Sequence, residues 1–336
     1  MIINNSFSIN NLSFVVIIGE TPLIQQIIEI NKKLKLKTLL ITSLDQSKVI
    51  NNKIKYKIIN KFNNDFKKFV KEKVEIEKTL FVSLGSRIVF KKKDIEFFKG
   101  NLINFHGTRL PLDAGAGTQS WKIMREDRID TQLAHIIDEG IDTGGILDYE
   151  LNIYPSECKI PAEYEKFRLG KFKTFYKKII LDIKNKKKFF LKNQVNFSGR
   201  YNPRLNTIEN GFINWNLNSY DLYNFINAFD DPYSGASTYL NNGKFGKLFL
   251  KSVHLHGGDS SNHPYMSGLV SRHDGKWIVV STPGKHMLLI EKVIDKKGKN
   301  ILSKIKPGDR FYTPRNDLDT ALSKRVKVNF KGFKKD

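Results

Sequence analysis

Three residues in this 336-residue chain supply an amide, an imidazole and a carboxylate close to one another: Asn104, His106 and Asp142. The first two lie in N-L-I-N-F-H-G-T-R-L-P-L-D-A-G-A-G, residues 101–117, where an apolar run over Leu102–Phe105 reads as a strand. Two residues apart on a strand, their side chains emerge on one face. Gly107 and Pro111 then turn the chain away, so the pair sits where the strand ends. The carboxylate comes from H-I-I-D-E-G-I-D-T-G-G-I-L, residues 135–147. There a second strand, over Leu133–Ile137, runs into a loop in which Gly140, Gly144 and Gly145 surround Asp142. Ligands of open α/β sheets bind at the carboxyl ends of strands. At such a place these three groups make an acid/base and oxyanion-stabilising set.

Each residue alone has a blander reading. An Asn at a strand end caps turns, an isolated His is usually a satisfied structural group, and an Asp between glycines is a turn former. The bland reading needs all three coincidences together. His135, seven residues before Asp142, is read equally as structural or as a support for the site. His254 and His256 share one strand face, but with no carboxylate or Cys beside them in sequence they read as an exposed face, not a metal site. Trp121 and Trp215 read as core, Tyr233 is an aromatic to watch for base stacking, and the single cysteine, Cys158, reads as a buried or incidental thiol.

The elements that must position the site follow from the hydrophobic pattern. FVVIIG at residues 14–19, the runs Thr38–Ile41 and Thr79–Val82, and the strand carrying Asn104 alternate with polar helical stretches, beginning with LIQQIIEINKKLKL. That alternation predicts βαβ units, a doubly wound, mostly parallel α/β sheet covered on both faces. The turn after the first strand is G-E-T-P-L, without the second glycine of a dinucleotide fingerprint, which argues against a nicotinamide or flavin site. A long charged helix within residues 155–192 closes a first domain of residues 1–195. A polar, Gly- and Pro-containing linker follows at residues 196–204. Five short β-rich runs, Ser237–Leu240, Lys247–His254, Gly268–Arg272, Trp277–Ser281 and Met287–Val293, predict a smaller open-barrel, OB-like domain over residues 205–320. Residues 321–336 read as a basic, frayed tail.

Composition bounds the class of protein. With 40% apolar and 12% aromatic residues the chain can bury a sizeable core. No run approaches the roughly 18 apolar residues of a membrane span, and the amino terminus lacks a secretory signal, so a cytoplasmic protein with no membrane partner is expected. The formal charge of +23 rests on Lys far more than Arg, alongside heavy use of Asn and Ile. An AT-rich coding bias yields that mixture, and the basic runs lack the Arg clustering of nucleic-acid readers. Attraction to a phosphorylated substrate is the main alternative to a merely solvated lysine surface.

N-x-H, then L-P, then a carboxylate in G-I-D-T-G thirty-six residues after the histidine resembles the tetrahydrofolate-dependent formyltransferase superfamily. The resemblance extends along nearly the whole chain. GETPL is similar to that family's opening turn, SLGSRIV at Ser83–Val89 to its folate-lining loop, and NPRLNTIENGFINW with FINAFDDPYSGAST to the start of the carboxyl-terminal domain of its longer members. It implies a 10-formyltetrahydrofolate donor, a primary-amine acceptor and no metal. Asn104 and His106 would stabilise the tetrahedral oxyanion, Asp142 would hold His106 in its working state, and groups at Ser86, Arg87, Ile88, Asp138, Glu139 and Gly140 would bind the pterin. The family's Tyr-Arg-Gly stretch is replaced here by Asp113-Ala114-Gly115-Ala116-Gly117, so the acceptor loop is altered. Thr108, Arg109, Gly115 and Gly117 are its candidate substrate-binding residues. That loop and the Pro-Tyr-x-Gly-Ala turn favour a nucleotide-linked amino sugar of surface polysaccharides over initiator tRNA as acceptor. Hydrolytic release of the formyl group and a catalytically silent folate- or nucleotide-binding module are the other readings.

Overall fold

A computed structural model of the chain describes residues 6–329 and 332–333, except 52, 60, 87, 117–118 and 196–198. A seven-stranded sheet dominates the first half, in the order Tyr56–Ile58, Lys37–Thr42, Phe14–Gly19, Thr79–Leu84, Leu102–His106, Ile129–Ile136, Ile146–Ile153. The first five strands run parallel, and the last two pair antiparallel. The central strands FVVIIG and TLFVSL are buried almost throughout, as strands covered on both faces must be. The outermost strand, ILDYELNI, was not foreseen. Its later residues alternate between half-buried and exposed because successive side chains point to opposite faces and one face meets solvent.

Helix Pro161–Lys184 covers the face opposite Asn104 and His106, and its amino-terminal half reaches the site at the strand ends. Pro161 opens it, and the Glu163 carboxylate accepts from the Ile160 N–H at 3.1 Å, which fixes the first turn. Its buried stripe, Phe172, Phe175, Tyr176, Ile179, Ile180 and Ile183, packs against Phe105 and the first helix, Ile24–Lys33. A buried polar relay pins these parts together. The Tyr176 hydroxyl donates to Asn31 at 3.0 Å, and the Asn31 amide donates to Thr38 at 3.1 Å. A half-satisfied relay in that core would cost more than an apolar one, so the complete version sets the helix at one height on the sheet.

The opening turn is fixed by close packing. Gly19 has φ +121°, and a Cβ there would lie 2.1 Å from the Leu84 carbonyl oxygen. Gly19→Ala is therefore expected to destabilise the fold by roughly 2 kcal/mol or more, read as a lower denaturant midpoint; an unchanged midpoint would contradict the crossing of these two loops.

A six-stranded antiparallel sheet forms the second core, ordered Val270–His273, Ile278–Val280, Met287–Ile294, Leu248–His256, Ala236–Leu240, Phe311–Tyr312. All five expected runs are strands within it. The curled sheet stays half open and resembles an OB-like domain. Helix Ser219–Ala228 packs on it, and the same apolar cluster takes in Ile123, Tyr154 and Tyr164 from the first half of the chain. Within the expected linker, Arg200–Asn202 forms a parallel pair with Asp113–Gly115, tying the crossover to the loop beside the site. The last stretch begins inside a helix, Arg315–Ser323, where Ala321 is buried, and ends in a short pairing of Val328–Asn329 with Gly332–Phe333. No helix among the described residues is long and apolar enough to cross a membrane.

Candidate active site

Strand pairing brings the site together. Asn104 lies opposite Ser83 on one side and opposite His135 on the other, so three polar side chains stand in a row across the sheet. The Asn104 amide contacts His135 Nε2 at 3.1 Å, and His135 Nδ1 lies 2.8 Å from the Ile136 carbonyl oxygen. A carbonyl can only accept, so Nδ1 carries the proton and Nε2 accepts from Asn104. One Asn104 N–H is thereby committed, and the amide plane is fixed. Burial pushes His135 down to about 4, with the neighbouring His106 adding to the shift, which keeps the ring neutral and consistent with that tautomer. His135 is thus an orienting group for Asn104.

His106 closes the same strand. Its Nε2 is buried without a hydrogen-bond partner among the described residues and lies 3.8 Å from Asp142 Oδ2. That distance is too long for a direct hydrogen bond but short enough for strong charge coupling. Burial lowers the His106 pKa; Asp142 opposes this, whereas Arg168 and Lys122 reinforce it. The imidazole is therefore neutral near pH 7, which favours a proton-accepting role over the oxyanion-stabilising one that the resemblance implied.

The carboxylate is held by its loop. Asp142 sits at φ +58°, in the left-handed region, and its Oδ2 accepts from the Gly115 N–H at 3.1 Å. Gln194 donates to the carbonyls of Asp142 and Gly144 at 2.9 and 2.7 Å, closing the loop from behind. Gly144 cannot be replaced cheaply, because a Cβ there would lie 1.9 Å from the Ile136 carbonyl oxygen. Asp138 Oδ1 accepts from the Gly140 N–H at 3.2 Å and from the Thr143 hydroxyl.

Two cavities meet at this centre. The larger, about 860 Å³, runs from the opening turn and the Ser83–Phe90 loop, past Asn104 and His135, to the Ile137–Asp142 loop. The smaller, about 420 Å³, is bounded by Thr108, Gln119, Pro161, Pro232 and Tyr233. Their linings share His106, Gly107, Gly115, Ala116, Glu165, Arg168 and Arg204. A group bound in one cavity can therefore meet a group bound in the other across His106.

Of the expected donor-binding residues, Ser86, Ile88, Asp138, Glu139 and Gly140 line the larger cavity, whereas Arg87 lies outside the described residues. Ser86 Oγ accepts from the Ile88 N–H at 3.0 Å, which shapes that loop. Thr108 and Gly115 line the smaller cavity, and Gly117 lies outside the described residues. Arg109 is not brought to either lining. Its guanidinium donates to Asp127 at 2.7 Å and lies 3.4 Å from Asp113, which also pairs with Arg125 and Arg200. Its place is in the packing of the loop.

Glu165 and Arg168 were missed. They form an ion pair with contacts of 2.6 and 2.9 Å, and the Arg168 side chain passes against Gly107. Their signal was present in the sequence: they extend the stripe of Phe172, Phe175 and Ile179 one turn toward the helix start, where it must reach the site. Trp215 is core, stacked on Phe311 and donating to Thr238 at 2.9 Å, while half-buried Trp121 donates to the Pro203 carbonyl at 2.8 Å. His254 does have a carboxylate beside it, Glu291 at 3.6 Å on the adjacent strand, a neighbour that only sheet pairing could reveal. Among the described residues no cluster of three or more His, Cys, Asp or Glu could hold a metal ion.

Residues 206–304 match the formyl transferase carboxyl-terminal domain family. Over 178 residues the chain is 25% identical to the bifunctional polymyxin resistance protein ArnA of Wigglesworthia glossinidia brevipalpis; the match spans 49% of this chain and only 25% of that protein. Over 227 residues it is 25% identical to a methionyl-tRNA formyltransferase of Clostridium perfringens, covering 67% of this chain and 69% of the relative. Among solved structures, the N-formyltransferase from Helicobacter canadensis in complex with folinic acid and dTDP-3-aminofucose superposes with a TM-score of 0.61 at 20% identity, over 83% of this chain and 99% of that one. WlaRD, a sugar 3N-formyltransferase, superposes with a TM-score of 0.59 at 21% identity, over 84% and 98%. At these identities the superpositions establish a shared fold.

Proposed function

We infer that this member of the tetrahydrofolate-dependent formyltransferase superfamily moves a formyl group from 10-formyltetrahydrofolate, bound as a substrate in the larger cavity, to a primary amine presented from the smaller one. The observation that carries this is the meeting of two cavities at His106, with Asn104 held by His135 on one side and Asp142 held by Gly115 on the other. Attack of the uncharged amine on the formyl carbon forms one C–N bond and places negative charge on the formyl oxygen. The second N–H of Asn104, already oriented, is available to that oxygen. A fixed donor of this kind stabilises such charge more than water does, because it needs no reorganisation. His106 Nε2, neutral and unpartnered, accepts the proton that the amine loses, and Asp142 stabilises the resulting imidazolium. Breaking the old C–N bond then requires one proton at the donor nitrogen, and His106 carries that same proton. The transfer balances with no other reactant.

A nucleotide-linked amino sugar is the acceptor we favour. The smaller cavity suits a sugar, Arg168 and Arg204 stand where both cavities meet, and Tyr233 lies in its lining. Two relatives of the same fold bind dTDP or a dTDP-amino sugar. Initiator tRNA is the second reading, favoured by the methionyl-tRNA formyltransferases among the sequence relatives and by the charge of +23. The decisive experiment incubates the protein with 10-formyltetrahydrofolate and, separately, dTDP-amino sugars and Met-tRNA, and follows formylated product by mass spectrometry. Formylation of a sugar nucleotide, with activity declining mildly with salt, is expected. Formylation of Met-tRNA alone, with the steep salt dependence of multiple phosphate contacts, would replace the sugar reading. Donor consumption without any formylated amine would sink the transferase reading in favour of hydrolysis.

A further inference from the structure

The chain beyond residue 304, the end of the matched family domain, returns to the site. Helix Arg315–Ser323 is tied to the Thr207–Asn210 turn: the Asn210 amide donates to the carbonyls of Ala321 and Lys324 at 2.9 and 3.2 Å, and Lys324 pairs with Glu209 at 3.2 Å. This anchor delivers Arg325, Val326 and Lys327 to the wall of the larger cavity. The Arg325 guanidinium lies 5.8 Å from the centre of the Tyr201 ring. Tyr201 in turn covers Gly115 so closely that a Cβ there would come within 2.6 Å of the ring, and the Gly115 N–H holds Asp142. The strap therefore stands one aromatic ring away from the catalytic carboxylate. It lines the larger cavity and not the smaller.

We propose that Arg325 and Lys327, carried by this anchored strap at the larger cavity, bind the carboxylate tail of the folate donor. The proposal rests on the donor occupying that cavity, as inferred above. A folate presents a flat heterocycle at one end and glutamate carboxylates at the other. The heterocycle suits the apolar and backbone groups near Leu84, Ile88 and Phe90, and the carboxylates need cations elsewhere in the same cavity. Both strap cations are exposed, so their attraction for a carboxylate is modest singly and sensitive to salt. A tail with several glutamates would engage both at once and gain more.

The test uses the full-length Arg325→Glu, Lys327→Glu double variant and calorimetric titration with folinic acid, its triglutamate form, the corresponding formyl-tetrahydropteroate that lacks glutamate, and dTDP. For the variant we expect the triglutamate to lose roughly tenfold or more in affinity, folinic acid less, and the tail-less compound less than about twofold. Affinity should return in Arg325→Lys, Lys327→Arg. Equal losses for the tail-less compound would mean a structural role and overturn the proposal, as would unchanged affinity for all folates. Weakened dTDP binding with folates unaffected would assign the strap to an acceptor phosphate and equally overturn it. Failure of the unaltered protein to bind any folate would instead remove the functional reading on which the proposal stands.

Discussion

Asn104→Ala is expected to lower kcat roughly 10²–10³-fold, the usual effect of removing one fixed donor to a developing oxyanion, while donor affinity changes little. Both N–H groups matter, for different reasons. One donates to His135 Nε2 at 3.1 Å and sets the plane of the amide. The other is the group available to the formyl oxygen. Truncation also leaves a buried acceptor on His135 unsatisfied, which costs about 1–3 kcal/mol of stability, so turnover must be measured well below the melting temperature. A lower folded fraction would also reduce apparent kcat at unchanged KM, so turnover is normalised to the folded fraction, read from the stoichiometry of folate binding. Turnover within about tenfold of the unaltered protein would refute the oxyanion role. His106 adds a pH signature. Its pKa is depressed by burial, so the neutral, proton-accepting form persists to below pH 6.5, and the acid limb of kcat should lie lower than for a solvent-exposed histidine. Asp142→Asn removes the charge that opposes that depression and should move the limb lower still, together with a large loss of kcat.

How much of this was legible in the sequence depended on the range of the cause. Strand alternation is local, so it placed Asn104 and His106 on one face, and the structure shows them there, at the end of Leu102–His106. Buried parallel strands such as FVVIIG and TLFVSL are short apolar runs between turns, and they were equally readable. The strand ILDYELNI was not, because an edge strand needs no continuous apolar run; Tyr149, Leu151 and Ile153 are in fact exposed on it. The assignment of His135 required pairing: only the register that sets Asn104 opposite His135 shows which histidine orients the amide. Arg109 shows the converse. Its place beside Thr108 in the loop suggested a ligand contact, but two buried-side carboxylates, Asp113 and Asp127, compete for the guanidinium and win it. Arg204, Tyr201 and the strap at Arg325–Lys327 come to the cavity from residues far along the chain, and no periodicity reports such a return.

The second large effect concerns stability against pH, and it follows from the same histidine pairing. His135 is 1% exposed and its pKa is lowered from 6.5 to about 4, chiefly by burial. In the unfolded chain it titrates near 6.5. Above that pH both states hold the ring neutral, so the contribution of the buried neutral imidazole is fully present. Below it the unfolded chain takes up a proton that the folded protein refuses, and stability falls by about 1.4 kcal/mol per pH unit until the folded pKa is reached. The loss therefore develops between pH 6.5 and about 4, and His106, also depressed by burial, contributes with the same sign. Asp142, within 3.9 Å of His135 and 3.8 Å of His106, limits the loss by favouring the protonated rings. His135→Gln keeps an acceptor within reach of Asn104 but removes the titration. Chemical denaturation at pH 7.5 and pH 5 should then show a smaller drop for the variant than for the unaltered protein, by roughly 1–2 kcal/mol. Equal drops would mean that burial does not depress the His135 pKa, and a larger drop for the variant would mean that His135 is protonated in the folded state at pH 5. Its Nε2 would then donate instead of accept, and the orientation assigned to Asn104 would have to be reversed.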